Sequence, residues 1–224
     1  MYLVKTPSFI RGLFPNFTWQ VPTEEKIIFL TFDDGPIPEV TPWVLEQLKK
    51  YNAQATFFCV GENVEKHADI FQQVLDSGHA VGNHTFNHLN GWDVENMQYF
   101  HNIRHCARLV KTGLFRPPYG RITPKQVQFV QRHYKIVMWD VLSGDFDQDI
   151  SKEQCLANVT ENAGPGSIVV FHDSKKAVEN LYYALPRTLE YFSAQGYRFK
   201  ALSRGLQELS PAAQTLAGLD VQMA

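Results

Sequence analysis

The chain has 224 residues, 44% hydrophobic and 20% charged, with 21 Lys and Arg set against 23 Asp and Glu for a net charge of −2. A chain of this length buries about 70% of its unfolded surface, so its core needs no disulfide staple. The near-neutral balance gives no electrostatic case for nucleic acid or an anionic membrane as partner.

Residues 1–20 mix Lys5, Arg11, Pro7 and Pro15 with apolar residues and lack the apolar block of about 7–15 residues that an export signal requires. No stretch approaches the roughly 20 apolar residues of a membrane span. Lys26–Phe32 reads as a buried strand ending in adjacent carboxylates. Thr41–Tyr51 reads as a helix with Thr41 as N-cap and Pro42 at its first position. Ala55–Val60 reads as strand, and Asn63–Ser77 as an amphipathic helix stopped by Gly78, with Val64, Ala68, Phe71, Val74 and Leu75 inward. His79–His84 is a short strand. Asp93–Thr112 is a helix with Met97, Phe100, Ile103, Ala107 and Val110 at core spacing. Thr123–His133 is helix, Lys135–Val141 strand, Ser151–Asn162 a helix capped by Ser151, Ser167–Phe171 strand, Pro186–Ala194 helix and Tyr197–Ala201 strand. The tail from Leu206 to Ala224 is weakly patterned and reads as a docking helix or a frayed end.

Strand–helix alternation with short connections argues for parallel βαβ units in one domain over residues 1–224, with its core at about 26–201. A full eightfold barrel takes about 250 residues, so the α/β class expected here is a shortened, distorted (β/α) barrel of about seven parallel strands. Cys59, Cys106 and Cys155 have no C-x-x-C spacing and read as thiols of a reducing compartment, which with the leaderless start gives an expected cytoplasmic location. N-x-[ST] triplets at Asn16, Asn83 and Asn158 are then chance matches.

Five polar clusters follow strand ends, where barrels place their chemistry. The first is Thr31-Phe32-Asp33-Asp34-Gly35-Pro36, in which one carboxylate can serve a metal and the other act as a base. The second is His84-Thr85-Phe86-Asn87-His88; its spacing puts two imidazoles on one side of a helical turn, and with Asp34 they make a two-histidine, one-carboxylate set with positions left open. His101 and His105 repeat the spacing beside Arg104 and Arg108 and are better explained as a solvated helix face. The third is Arg116-Pro117-Pro118-Tyr119-Gly120, a rigid loop whose Arg suits a carboxylate and whose Tyr119 N–H suits an oxyanion. The fourth runs Trp139 to Asp147 with acids at Asp140, Asp145 and Asp147, and the fifth is a strand ending in His172-Asp173, where His172 suits a general acid.

In this order the five clusters resemble the motifs of the NodB-homology polysaccharide deacetylases, carbohydrate esterase family 4, over about Lys26 to Ala201. The resemblance implies a hydrolase that removes N-acetyl groups from an amino-sugar polymer, oligosaccharide or glycoconjugate. Asp33 would be the general base, Asp34, His84 and His88 the ligands of a divalent metal, usually zinc, and Arg116 the residue orienting Asp33. Tyr119 N–H would bind the oxyanion, Asp145 support the site and His172 act as general acid. The chain departs from the pattern at Leu89-Asn90, where Pro is usual, and at Leu142, where an acid is usual. It departs again at Phe146 in place of Trp or Tyr and Val170 in place of Leu. These touch the sugar subsites and leave the acid, base and ligands intact. Hydrolysis of another C–N amide, or carbohydrate binding without turnover, are the alternatives; a serine hydrolase lacks its G-x-S-x-G elbow.

Overall fold

The computed structural model describes residues 2–202. The elements in chain order are α1 (Ser8–Leu13), β1 (Ile27–Asp33), α2 (Val40–Lys50), β2 (Thr56–Cys59), α3 (Gly61–Lys66), α4 (Ala68–Asp76), β3 (Ala80–Asn83), α5 (Asn96–Leu109) and β4 (Leu114–Phe115). A 3-10 turn (Pro118–Gly120) leads to α6 (Pro124–Val130), β5 (Lys135–Ile136), β6 (Val141–Leu142), α7 (Lys152–Thr160), β7 (Ile168–His172), α8 (Val178–Ala194) and β8 (Arg198–Phe199). The strands pair in parallel in the order β5-β4-β3-β2-β1-β7-β6, with β8 joined to β1.

Alternation along the strands explains the two sides of this sheet. On β1, Ile28, Leu30 and Phe32 pack outward with Val44, Leu48, Leu181 and Leu185 of the helices. Ile27 and Phe29 pack inward with Phe58, Leu114, Val137 and Ile168. Both faces are covered, so the strand is buried throughout, as parallel strands between layers are. The inward series continues through Thr31 to Asp33.

The sheet closes on itself. Six inter-strand steps separate β5 from β6 along the pairing order, which in a flat sheet is roughly 29 Å. Only residues 137–140 join them, and the five peptide links from Ile136 to Val141 reach about 18 Å at full extension. The sheet must therefore curl, which gives the expected distorted barrel of seven strands. The stretch expected as one strand over Lys135–Val141 is split because it serves both edges. Val137 N–H donates to Phe115 O on one side, and Asp140 N–H to Ile168 O on the other. Between them the Val137 and Met138 carbonyls accept from the Arg116 guanidinium at 3.2 and 2.9 Å.

Other boundaries shift for local reasons. Thr41 does not cap α2: Glu39 occupies that position, and the Thr41 hydroxyl accepts from Ile37 N–H and donates to Asp173. The helix expected over Asn63–Ser77 breaks at His67 (φ −133°, ψ 50°), and Leu75, expected inward, lies 38% exposed. On α5 the buried stripe is Tyr99, Ile103 and Cys106, leaving Met97 in solvent. Pro186 lies inside α8 instead of starting it; burial of Leu181, Leu185, Leu189 and Phe192 offsets a cost of about 3 kcal/mol for an interior proline. Ser151 caps α7 as expected, accepting from Gln154 N–H, and Thr123 caps α6, accepting from Gln126 N–H. α1 and β4 carried too little pattern to be read. The tail from Leu206 lies outside the described residues.

Candidate active site

The inward series of β1 ends at the mouth of the barrel with Asp33, 4% exposed. In the β1–β7 register Asp33 stands opposite His172, the last residue of β7, so the two lie side by side on one face. Arg116, directly after β4, is fully buried in the barrel axis. Its Nη1 donates to Asp33 Oδ1 at 2.7 Å and to Thr31 Oγ1 at 2.8 Å, and the guanidinium stacks on the Phe58 ring at 4.1 Å. One cation thus joins two successive inward residues of β1 to two carbonyls of the closing segment.

Asp34 leaves the strand with φ 86°, which swings its carboxylate toward the histidines while Asp33 stays on the inner face. Asp34 Oδ1 is 3.2 Å from His88 Nε2 and 3.8 Å from His84 Nε2. The three donor atoms lie within 4.8 Å of one another, the one cluster of this kind among the described residues. His84 and His88 do not share a helical turn, as their spacing predicts. A loop brings them together, with Thr85 at φ 64° and His88 at φ 58°. Asn83 Oδ1 holds Thr85 N–H, Asn102 Oδ1 holds Phe86 N–H, and the Thr85 hydroxyl holds Leu89 N–H. Non-glycine residues are uncommon at positive φ, β-branched ones especially; of the six such residues among those described, Asp34, Thr85, His88 and Tyr119 cluster here, as backbone strain does at working sites.

These donors fit a divalent cation. Asp34 Oδ1 is a buried oxygen with no hydrogen-bond partner among the described residues. His84 Nδ1 is 2.8 Å from the Arg116 carbonyl; a carbonyl only accepts, so Nδ1 carries the proton and the Nε2 lone pair faces the cluster. Burial pulls His84 down to about 4 against the charges of Asp33 and Asp34, which keeps the ring neutral. Burial on its own would raise Asp34, but the adjacent His88 ring and the charge of His172 hold it well below the usual carboxylate range.

Asp145 grips His172 twice: its Oδ2 accepts the His172 N–H and its Oδ1 lies against Nδ1, both at 2.7 Å. Burial disfavours the charged ring, but Asp145, then Asp34 and Asp33, outweigh it and push His172 up to about 9. With Nδ1 taken by Asp145, Nε2 is left for the cleft. The three acids of this region separate in role. Asp140 is buried beneath Lys5 Nζ, Ser167 Oγ and Ile168 N–H, Asp145 serves His172, and Asp147 caps its own turn at Asp149 N–H. Tyr119 sits at φ 60° in the 3-10 turn, 62% exposed, its hydroxyl 3.2 Å from His88 Nδ1.

Asp33, Asp34, His84, His88, Tyr119 and His172 line one cleft of about 560 Å³, and the buried Arg116 reaches it through its bond to Asp33. Its remaining walls include Tyr2, Pro117, Arg121, Trp139, Leu142, Phe146, Val170 and Lys176. Trp139, Leu142 and Phe146 sat within the fourth cluster of the sequence, whereas Tyr2, Arg121 and Lys176 had no motif to mark them. Asp173 was also unassigned: buried, it accepts Gly35 N–H and the Thr41 hydroxyl, and its own N–H binds the Asp33 carbonyl. His101 and His105 stay on the α5 surface, where His105 stacks on Phe86 at 3.7 Å. Asn83 and Asn158 are buried, which excludes them as glycan acceptors in the folded chain.

Residues 20–137 match the family model described as polysaccharide deacetylase. A peptidoglycan-N-acetylglucosamine deacetylase of Bacillus cereus is 37% identical over 85% of this chain and 92% of its own length. Among solved structures, the Bc1960 peptidoglycan N-acetylglucosamine deacetylase, in complex with 4-naphthalen-1-yl-N-oxidanyl-benzamide, superposes with a TM-score of 0.77 at 31% identity, covering 87% of this chain and 92% of that one. Peptidoglycan deacetylase PdaC of Bacillus subtilis superposes at 0.75 with 27% identity, over 90% of this chain and 98% of that one. Among the described residues no helix is long and apolar enough to cross a membrane.

Proposed function

The chain belongs to the polysaccharide deacetylase family of carbohydrate N-deacetylases, hydrolases of carbon–nitrogen amide bonds, and from that premise we propose that it is a metal-dependent enzyme acting on N-acetylglucosamine residues of a glycan of the peptidoglycan kind. The observation that carries this reading is the convergence of three units on one cleft: the Asp33–Arg116 pair, the Asp34–His84–His88 cluster and the His172–Asp145 pair.

Asp34, His84 and His88 would hold the cation, zinc in the first instance. Bound there, it would polarise the acetyl carbonyl and acidify a water, lowering the barrier to attack on an amide. Asp33 accepts the proton of the attacking water; its Arg116 bond fixes Oδ1 and leaves Oδ2 free for this role. The Tyr119 N–H donates to the oxygen that gains charge during attack. His172, held charged by Asp145, gives its Nε2 proton to the departing sugar amine, and the products are acetate and a free amino sugar. Leu142 and Val170, both on the cleft wall, offer the apolar surface for the acetyl methyl.

The test is acetate release from N-acetylated glycans by wild type, with and without added zinc, and by Asp33→Asn. Zinc-dependent release that falls by about 10²–10⁴-fold in the variant is expected for loss of a general base. Release unaffected by Asp33→Asn or by chelation would reject the mechanism.

A further inference from the structure

Residues 2–6 lie far in sequence from every element of the barrel mouth, yet they reach it. They run antiparallel along β6: Lys5 bridges Val141, Leu142 N–H donates to Val4 O, Thr6 N–H to Asp140 O, and Thr6 Oγ1 to Trp139 O. Lys5 Nζ bonds both Asp140 Oδ2 and the Asn162 carbonyl at 2.7 Å, and Asp140 is fully buried. The clip covers the open side of the β6 edge and aims the preceding residues at the cleft. Tyr2 then packs on Phe146 with ring centroids 5.2 Å apart, and Phe146 meets the His172 ring edge-on at 5.1 Å. The Tyr2 hydroxyl is tied to Asp147. Room for it comes from Gly144, where φ is 77° and an added Cβ would sit 2.6 Å from the hydroxyl oxygen.

We propose that residues 2–6 form a substrate-binding arm whose Tyr2 ring is a wall of the sugar-binding cleft. The proposal rests on the deacetylase reading for the identity of the ligand. Tyr2 is half-buried on the cleft surface, with Tyr119 and Trp139 among the cleft's other walls. A pyranose presents a face of C–H groups that an aromatic ring can cover while its hydroxyls stay in water, the same amphipathic match that places Tyr at other wet interfaces. A ring that served only to pin the chain would be covered by protein.

The test has two arms. Turnover of an N-acetylglucosamine tetramer by Tyr2→Ala is expected to show KM raised about three- to tenfold, the worth of one aromatic contact, with kcat within about twofold of wild type. Tyr2→Phe, which keeps the ring, is expected to retain a KM close to wild type. Calorimetric binding of the tetramer to Asp33→Asn, with and without Tyr2→Ala, is expected to show the same weakening without any dependence on turnover. Removal of residues 2–3 repeats the comparison while leaving the Val4–Thr6 clip in place. Unchanged KM and unchanged binding in both variants would overturn the arm's role, as would a Tyr2→Phe variant as impaired as Tyr2→Ala. Wild type that binds the tetramer without releasing acetate would overturn the deacetylase reading instead, and the binding arm would still decide on Tyr2.

Discussion

Asp33 and Asp34 are chemically alike, and their backbone separates their environments. Asp33 keeps the β-strand parity of Ile27, Phe29 and Thr31 and meets Arg116; Asp34 turns through a positive φ and meets the histidines. Replacing Arg116 by Met would strand a buried carboxylate, and a loss of about 3–5 kcal/mol in urea unfolding is expected. His172 gives a pH signature. Its charged form is favoured in the fold, so its contribution to stability is complete below the ordinary histidine value of about 6.5 and is lost as pH rises through about 9. On the proposed mechanism the same ionisation is expected to give kcat/KM a basic limb near pH 9. In Asp145→Asn, which removes the principal opposing charge, that limb should move toward the ordinary value; a limb that stays in place would assign it to another group. At this scale the sequence was informative: the acid, base and ligand candidates stood in recognisable motifs and all reached one cleft. Tyr2 stands in no motif and Asp173, though part of the fifth cluster, has no role legible there, because no local pattern encodes a contact with residues more than a hundred positions away.

At the scale of elements, the turn after β1 is held by its neighbours more than by itself. Asp173 grips Gly35 N–H and Asp33 O, and Asn63 Nδ2 holds the Asp34 carbonyl at 2.8 Å. A methyl group on Gly35 would overlap the Asp173 carboxylate, so Gly35→Ala must move either the turn or α2's anchor at Thr41. Zinc affinity weakened by about tenfold or more, read by competition with a chromogenic chelator, is the expected result, in keeping with the loss of ligand-supporting contacts. Strand and helix identities were largely legible from periodicity, because β1, β2 and β7 are apolar on both faces. Register of the helix stripes was less so: on α5, Tyr99 and Cys106 take the inward places that Met97 and Phe100 were expected to share. Nor does local pattern reveal that Lys135–Val141 is two strands, since the break comes from Arg116, a residue of a different loop.

Across the whole molecule the Asp34–His84–His88 cluster joins the end of β1 to the loop after β3. Those elements also carry the central pairings of the barrel, so a cation bound there is expected to couple to global stability. Chelation should lower the midpoint of a single cooperative thermal transition, and zinc at 100 times its Kd should add about 2.7 kcal/mol relative to the metal-free protein. Two separate transitions would contradict one domain.

The position of β1 within the sheet carries a further consequence, for synthesis on the ribosome. β1 is translated early but its neighbour β7 only at residues 168–172, and the pairs from Phe29–Ile168 to Asp33–His172 wait for it. Until then a seven-residue, wholly apolar-flanked strand presents a bare row of amides and carbonyls, a template for pairing with another chain. At about 5–20 residues per second that window lasts on the order of ten seconds. Nascent chains arrested before Ile168 should therefore be held by chaperones or aggregate, whereas chains released beyond His172 can seal the edge from within.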